Sequence, residues 1–452
     1  MSYQTKYNTF RQTFPEFVYE GYQYDVQSDG LHIVFTFRVG AEICFQPEAF
    51  IPSRRFLDFN QPKKILDRLI FNIGMVELVS YWKALCPPRV AVACGSLDEE
   101  QISFWKKLYF NGLGEFFYTN GISASIDDFM EIVPAGTVPQ SPKTYIVSYR
   151  DKYLVPIGGG KDSVVTLELL SSHSAGVVPL IMTPRGATIG CVEAAGFTMD
   201  DVLVIQRTIH PRLLELNGQG CLNGHTPFSA MLAFYTLLAA QLSGIPNVAL
   251  SNENSANEST VVGTGINHQY SKSLEFEDDF RRYVARNLSA SYNYFSFLRP
   301  LSELQIAMLF SRNEKYFDIF RSCNAGSKQD IWCGRCAKCL FAYIILSPFI
   351  PPQRLNAIFG KNMLDDLGLQ LYFDQLTGIA ETKPFECVGT ISEVRSALSM
   401  AIQRWYPDSR PALLSGLPLE PQTTPLHTLS PQHNLSKTEL DLLYSNVQAA
   451  TV

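Results

Sequence analysis

The sequence has no long run of apolar residues, which argues against a membrane-spanning protein. Its longest apolar stretches, 231–242 and 340–350, are shorter than the roughly 20 residues that a helix needs to cross a bilayer. Residues 1–6 contain no apolar core, so we expect no signal peptide. These features together predict a cytoplasmic protein without a membrane partner.

Basic residues are also few. The chain has 37 lysines and arginines against 43 acidic residues, so its net charge is −6, which argues against a nucleic-acid partner. Its 452 residues, 46% of them hydrophobic, are enough for two or more domains with large cores. The sequence leaves the oligomeric state open.

The glycine-rich stretch after residue 157 is not a Walker A loop, because Asp162 stands where that motif requires Ser or Thr. An apolar run at 154–157, three glycines and a following helical pattern predict a strand, a turn and a helix start. Glycine amides and a helix N-terminus bind anions, while Lys161 supplies a cation and Ser163 a hydroxyl for phosphate. Asp162 is predicted to bind Mg²⁺ or a ligand hydroxyl. A purely structural turn is the alternative.

This stretch, Gly-Gly-Gly-Lys-Asp-Ser at 158–163, resembles the PP-loop of the N-type ATP pyrophosphatases, whose usual form is Ser-Gly-Gly-x-Asp-Ser. Gly158 replaces the usual serine, which removes one hydroxyl contact to pyrophosphate but keeps the loop amides. The resemblance implies that ATP and Mg²⁺ are used to adenylate an oxygen of the substrate, with release of pyrophosphate.

The middle of the chain predicts a doubly wound parallel sheet, because short apolar runs alternate with helical patterns from about 143 to 251. The predicted strands are 154–157, 177–182, 202–206 and 248–250, and the predicted helices are 161–172, 188–195 and 227–242. The expected domains are an α+β N-terminal domain at 1–140, a PP-loop ATP-binding domain at 141–320, a zinc-site and helical segment at 321–405, and an extended or disordered tail at 406–452. Within the tail, one helical turn or more at 438–447 is the alternative.

The N-terminal region carries no catalytic motif. Alternating β-forming residues at 31–39 predict a strand, and apolar residues at helical spacing predict helices at 65–85 and 98–111. Asn72, Glu77 and Trp82 lie within the first of these helices. We predict structural roles for all three, with contact to substrate as the alternative.

Polar residues follow or precede several of the predicted elements. Asn252 and Glu253 come directly after the strand at 248–250, which favours a ligand-facing loop over a solvated one. His225 precedes the helix at 227–242 and is predicted to point toward the same crevice, with a structural role equally open. The predicted nucleotide-binding residues are therefore Gly158, Gly159, Gly160, Lys161, Asp162, Ser163, His225 and Asn252.

A second polar stretch contains His268 and Lys272. These residues are four apart and would share one face of a helix. An imidazole and an amine together can bind an acidic substrate or transfer a proton. An ordinary exposed helix end is the alternative.

Four of the ten cysteines lie between 323 and 339, which in a reducing compartment favours metal binding over disulfides. Four thiolates can close a tetrahedral structural zinc site, and the deazaguanine-nitrile synthases carry a similar cluster. An iron–sulfur cluster and unligated cysteines are the alternatives. The predicted metal ligands are Cys323, Cys333, Cys336 and Cys339.

Almost the whole chain except the tail resembles the MurL epimerases of peptidoglycan precursor synthesis. The resemblance implies inversion of the terminal L-Glu of UDP-N-acetylmuramoyl-L-Ala-L-Glu to D-Glu, with ATP converted to AMP and pyrophosphate. PP-loop enzymes that modify nucleobases or tRNA are the main alternative, and a nucleotide sensor without turnover is a third. The stretches that carry the resemblance are 155–163, 251–258, 267–277, 333–339 and 384–390.

The implied reaction assigns roles to the candidate residues. Lys161 would stabilise the departing pyrophosphate, and Lys272 would hold the side-chain carboxylate of the substrate Glu. The α-proton base would be His268, Glu253 or His225, and the sequence does not choose among them. The predicted catalytic residues are Lys161, Asp162, Glu253, His268 and Lys272.

Overall fold

A computed structural model describes residues 2–135, 151–173, 176–261, 265–417 and 424–451. The predicted domain boundary near residue 140 lies outside these residues. The chain forms two compact units that are each discontinuous in sequence, whereas the sequence predicted contiguous domains. The first unit takes the described parts of Met1–Arg150, Leu203–Val248 and Tyr270–Tyr294, and the second those of Asp151–Val202, Ala249–Gln269 and Phe295–Val452.

Strands are numbered in chain order over the described residues. They are β1 (Glu16–Gln27), β2 (Gly30–Val39), β3 (Ile43–Phe45), β4 (Glu48–Pro52), β5 (Arg89–Val92), β6 (Glu131–Pro134), β7 (Tyr153–Pro156), β8 (Val177–Met182), β9 (Leu203–Arg207), β10 (Asn247–Leu250) and β11 (Asn293–Ser296).

The α-helices of the same residues are numbered in the same way. They are α1 (Tyr3–Thr13), α2 (Lys63–Trp82), α3 (Glu99–Gly112), α4 (Gly114–Thr119), α5 (Lys161–His173), α6 (Gly186–Ala194), α7 (Pro211–Gly218), α8 (Phe228–Ser243), α9 (Leu274–Asn287), α10 (Glu303–Phe310), α11 (Ala337–Leu346), α12 (Pro352–Phe359), α13 (Gln370–Thr377), α14 (Ile391–Trp405) and α15 (Lys437–Thr451). None of these helices has the combination of length and apolar character that crossing a membrane requires.

The sheet of the first unit is mixed. β1 and β2 form a long antiparallel hairpin, and β4 pairs antiparallel with β2. β5 pairs parallel with β1, and β6 pairs parallel with β5. Buried residues alternate along β2, as expected for a strand with one face on the core. Helix α2 packs on β1 and β2. The predicted strand at 31–39 and the helices at 65–85 and 98–111 are confirmed as β2, α2 and α3.

β9 departs from the predicted parallel arrangement. It pairs antiparallel with β4, with Ala49 opposite Arg207 and Phe50 opposite Gln206. The sheet that contains β4 and β9 therefore includes parallel strands but is not wholly parallel. The sequence could not show this, because the pairing joins segments that are more than 150 residues apart.

In the second unit, β7 and β8 are parallel, and α5 packs against both strands. The last residues of β10 and β11 belong to this unit, where the Phe297 N–H donates to the Leu250 carbonyl at 2.7 Å. The four predicted strands of the middle region correspond to β7, β8, β9 and β10, and its three predicted helices to α5, α6 and α8. The unit thus places the turn after β7 and the turn after β10 in one α/β body.

The C-terminal segment is not extended over 437–451, where it forms α15. Leu443 and Val447, four residues apart, are both buried, and the helix packs on α10 and α5. The Tyr153 hydroxyl also donates to a carboxylate oxygen of Glu439 at 3.0 Å. The stretch 438–447, for which the sequence allowed one helical turn or more, lies within this helix.

Candidate active site

The glycine-rich stretch forms a turn between β7 and α5, as predicted. Gly159 has a φ of +80°, a left-handed conformation that favours glycine. The Ser163 hydroxyl donates to the Gly160 carbonyl at 3.0 Å and closes the first turn of α5. The start of this helix carries a partial positive charge, which suits an anion at the turn.

Lys161, the first residue of α5, is buried with its ammonium group against the carboxylates of Asp162 and Glu303. Only 5% of Lys161 and 2% of Glu303 are exposed. Burial lowers the pKa of Lys161, but the two carboxylates outweigh burial and raise this pKa well above its usual value. The lysine is therefore a fixed cation beside the glycine turn.

Glu303 is a site residue that sequence reasoning missed. It begins α10, and its backbone N–H donates to a carboxylate oxygen of Glu393 at 2.7 Å. The other oxygen of Glu393 accepts from the Thr390 N–H at 2.7 Å and so caps α14. The capping patterns were readable in the sequence, but no local signal indicated that Glu303 meets Lys161, 142 residues away.

Asn252 and Glu253 lie in the turn after β10 and are both buried, so they are not solvated loop residues. The Asn252 amide donates to the Ser296 hydroxyl at 3.0 Å. Arg299, which is fully buried, donates to the Glu253 backbone carbonyl at 2.5 Å. The Asn254 N–H donates to the Leu301 carbonyl at 3.1 Å, so the turn after β10 contacts the segment that leads into Glu303.

His268 lies in the same unit, and its backbone N–H donates to the Thr260 hydroxyl at 3.0 Å. Burial raises the pKa of Glu386, while the positive charges of Lys338 and His268 partly oppose that shift. The structure therefore brings His268 to a half-buried acidic group that the sequence did not single out.

The four cysteines between 323 and 339 come together, as predicted. Their sulfur atoms all lie within 4.8 Å of one another, with Sγ–Sγ distances of 3.8 Å for Cys323 and Cys336, 3.7 Å for Cys333 and Cys339, and 3.5 Å for Cys336 and Cys339. Four thiolates around one zinc at about 2.3 Å would be separated by roughly 3.8 Å. The cluster thus has the dimensions of a tetrahedral metal site.

Two family profiles match this chain. The MurL N-terminal domain matches residues 8–297, and the MurL C-terminal domain matches residues 319–414. The chain belongs to the MurL family. The MurL N-terminal match contains the glycine turn and the turn after β10, the C-terminal match contains the four cysteines, and Glu303 lies between the two.

Three relatives of this MurL-family chain carry the name UDP-N-acetyl-alpha-D-muramoyl-L-alanyl-L-glutamate epimerase. The protein from Xanthomonas oryzae pv. oryzae is 36% identical over 397 residues, which are 85% of this chain and 86% of the relative. The Micromonospora protein is 36% identical over 348 residues, 75% of this chain and 76% of the relative. The Salinispora tropica protein is 35% identical over 341 residues, 74% of this chain and 73% of the relative.

The prediction that His268 and Lys272 share a helix face is wrong for this MurL-family chain. His268 lies in a turn, where the Asn267 side chain accepts from the Gln269 N–H at 2.8 Å. Lys272 ends a short 3₁₀ helix, and Ser273 caps α9 by accepting from the Phe276 N–H. The Asn267 and Ser273 side chains each accept from a nearby backbone N–H, and these two local caps prevent one continuous helix through 268 and 272.

The first unit contains His225 and Lys272, and the other predicted residues of the MurL site belong to the second. His225 precedes α8, with its Nδ1 3.6 Å from a carboxylate oxygen of Glu115. The buried Lys83 ammonium donates to the carbonyl of Gly224, the residue before His225.

A cavity of about 670 Å³ in the same unit is lined by Tyr22, Tyr24, Lys63 and Asp67 among others, and none of the predicted site residues lines it.

Proposed function

We propose that this protein is an ATP- and Mg²⁺-dependent epimerase that inverts the terminal L-Glu of UDP-N-acetylmuramoyl-L-Ala-L-Glu to D-Glu during peptidoglycan precursor synthesis. The names of three relatives support this substrate and this reaction. The observation that carries the ATP requirement is the buried Lys161 ammonium at the glycine turn, held by Asp162 and Glu303.

The chemistry of the substrate explains why ATP would be needed. The α-nitrogen of the terminal Glu is an amide, so it cannot form an imine with pyridoxal phosphate. The α-carboxylate is anionic, so removal of the neighbouring proton would put a second negative charge on the same unit. Adenylation converts this carboxylate into a mixed anhydride, which makes the α-proton far more acidic. AMP and pyrophosphate are the expected nucleotide products.

The glycine turn would bind the nucleotide in this proposal. The loop amides and the Lys161 ammonium would face the phosphates and stabilise the charge on the departing pyrophosphate. Asp162 fits Mg²⁺, since it offers a carboxylate that is 30% exposed beside the turn. Bound there, Mg²⁺ would neutralise phosphate charge. Glu303 would keep Lys161 extended toward the ligand.

His268 is our candidate for the base that takes the α-proton. Imidazole exchanges protons near neutral pH, and the half-buried Glu386 beside His268 can stabilise the imidazolium that forms. Glu253 is less suited, because the Ser255 hydroxyl donates to its carboxylate at 3.4 Å and stabilises the charged form. The N-acyl adenylate can also close to an oxazolone, whose α-proton a modest base can remove.

Exchange of the α-proton in heavy water tests this function. We expect deuterium at the α-carbon of the D-Glu product, because the base exchanges its proton with solvent. His268→Gln should lower the epimerisation rate by about 100-fold. His32→Gln, at a 38% exposed histidine, is the matched control and should leave the rate unchanged.

Two results would contradict these assignments separately. A wild-type protein that forms no D-Glu with ATP and Mg²⁺ would overturn the proposed reaction. A His268→Gln variant with a normal rate would overturn only the assignment of the base, and the same test would then be applied to His225 and Glu253.

We also propose that the four-cysteine cluster binds one structural zinc ion. All four ligand positions would be occupied by thiolates, which leaves no open position for substrate. The Gly326 N–H donates to the Cys323 sulfur at 3.2 Å, a contact that favours a thiolate. The zinc would then fix the segment that carries these cysteines rather than take part in the chemistry.

A further inference from the structure

Neighbouring groups hold the carbonyls of the glycine turn. The Gly158 carbonyl accepts from the Arg185 guanidinium at 2.8 Å, and the Gly159 carbonyl accepts from the Arg321 backbone N–H at 2.7 Å. In a trans peptide the carbonyl of one residue and the N–H of the next point in opposite directions. These two contacts therefore turn the Gly159 and Gly160 N–H groups to the other side of the turn.

The start of α6 packs directly on this turn. A Cβ atom on Gly159 would lie 3.1 Å from Ala187, so the turn and the first residues of α6 are in close contact. The Arg185 side chain that holds the Gly158 carbonyl comes from the residue before α6. The direction of the turn amides thus depends on where α6 begins.

Asp330 fixes the start of α6 from a distant part of the sequence. One of its carboxylate oxygens accepts from the Gly186 N–H at 2.7 Å, and the other accepts from the Ala187 N–H at 3.0 Å. Arg185 provides no side-chain cap, so Asp330 satisfies these two N–H groups in its place. A Cβ on Gly186 would lie 2.6 Å from the Asp330 carboxylate, so glycine is what leaves room for it.

Asp330 is itself held by the four-cysteine segment. The Gly326 N–H donates to the Cys323 sulfur, and the Gly326 carbonyl accepts from the Gln329 and Ile331 N–H groups at 3.1 and 3.2 Å. This closed turn presents Asp330 with a φ of +51°. A chain of direct contacts therefore leads from the cysteine cluster through Asp330 and α6 to the glycine turn.

We propose that Asp330 is a positioning residue that aims the Gly159 and Gly160 amides at the pyrophosphate of the nucleotide. This inference rests on the proposed function, since pyrophosphate is the product expected at this turn. It assigns to the cysteine segment a second role, which is to set the affinity of the turn for phosphate groups through a carboxylate that does not touch the ligand.

Pyrophosphate affinity distinguishes this role from simple electrostatics. Removing a negative charge near an anion site should tighten anion binding if charge alone matters. If Asp330 positions the turn, Asp330→Asn should instead weaken binding of Mg²⁺-pyrophosphate by roughly three- to tenfold, because one amide of the helix start loses its acceptor. Asparagine tolerates a positive φ, so backbone strain does not explain a loss.

Gly186→Ala provides an independent test without a change of charge. Its new Cβ would push the Asp330 carboxylate away from the helix start, and we expect a similar loss of pyrophosphate affinity. The matched controls are Asp318→Asn, at an aspartate twelve residues earlier in the chain with a 70% exposed side chain, and Gly218→Ala, where a Cβ meets no atom within 4 Å. Both controls should stay within about twofold of wild type.

Isothermal titration calorimetry of the full-length variants with Mg²⁺-pyrophosphate measures the affinity, and their melting temperatures are measured alongside. Weaker binding in both variants with normal controls supports the proposal. Binding by either variant that is as tight as in wild type, or tighter, overturns it, even where the melting temperature falls, because that pattern means a merely structural role. A wild-type protein that does not bind pyrophosphate overturns the proposed function together with this inference, whereas variant failure alone leaves the function standing.

Discussion

Buried charges are arranged differently in the two units. In the first unit, Glu77 and Arg207 form a two-point ion pair at 2.6 and 2.7 Å, and the Tyr235 hydroxyl donates to Glu77 at 3.0 Å. In the second unit, one ammonium group, that of Lys161, is shared between two carboxylates beside a glycine turn.

In the proposed function, this difference separates a structural charge from a functional one. The first-unit pair is almost completely enclosed, with Glu77 1% exposed and its cation fully matched in geometry. The second-unit group has two carboxylates for one ammonium, and its Asp162 side chain is 30% exposed to solvent. It lies at the start of α5. A buried charge alone therefore does not mark a site, whereas an unequal set of charges next to an anion-binding turn does.

The largest expected effect concerns the cysteine cluster. The purified protein should contain about one zinc per chain, and Cys323→Ser should lose most of its soluble yield, because a structural zinc contributes to folding. Elemental analysis measures the zinc content, and the amount of purified soluble protein measures the yield. Cys44→Ser, outside the cluster, is the control. A metal-free protein with an unchanged melting temperature would contradict the assignment.

Lys161→Ala should come next, with a loss of at least about 1000-fold in AMP formation, since it removes the cation that the proposed function places against the phosphates. The variant should remain folded, because its two partners can be protonated or hydrated. Rates are to be compared with Lys63→Ala, at a lysine whose side chain is 79% exposed. Turnover within tenfold of wild type would remove Lys161 from the site.

Glu77→Gln tests the other side of the comparison. Loss of one partner leaves the Arg207 charge buried without a carboxylate, so the free energy of unfolding should fall by about 3–5 kcal/mol. The epimerisation rate per folded molecule should not change. Denaturant unfolding measures the first quantity, and a specific loss of rate in folded protein would show that the first-unit pair is not purely structural.

The smallest expected effect is a pH dependence in the first unit. Burial, aided by the charge of Arg207, lowers the pKa of Lys83 to about 8. Between pH 8 and 10 the unfolded chain therefore binds more protons at this group than the folded protein, so stability relative to Lys83→Met should rise with pH by up to about 1.4 kcal/mol per unit. Urea unfolding of both proteins at pH 7.5, 9 and 10 would measure this change. If the free energy of unfolding of wild type minus that of Lys83→Met stays constant or falls with pH, Lys83 is not a buried amine with a lowered pKa.

The sequence predicted those parts of the site that are local in the chain. Strand, turn and helix at 153–173 follow from consecutive residues, and the four cysteines lie within one short segment, so both could be recognised from local patterns alone. Glu303, Glu386 and Asp330 could not, because each acts on a residue more than 100 positions away. His268 was proposed for its residue type and stays a proposal, and its predicted helical relation to Lys272 is wrong because local caps override periodicity.

The proposed function distinguishes this chain most directly from other ATP-using enzymes by its nucleotide products. Purified protein, ATP, Mg²⁺ and UDP-N-acetylmuramoyl-L-Ala-L-Glu should be incubated together, and AMP, ADP, pyrophosphate and D-Glu measured in the same sample. We expect AMP and pyrophosphate in equal amounts, formed only when the dipeptide substrate is present and accompanied by D-Glu. Formation of ADP and phosphate, or of D-Glu without any AMP, would contradict it.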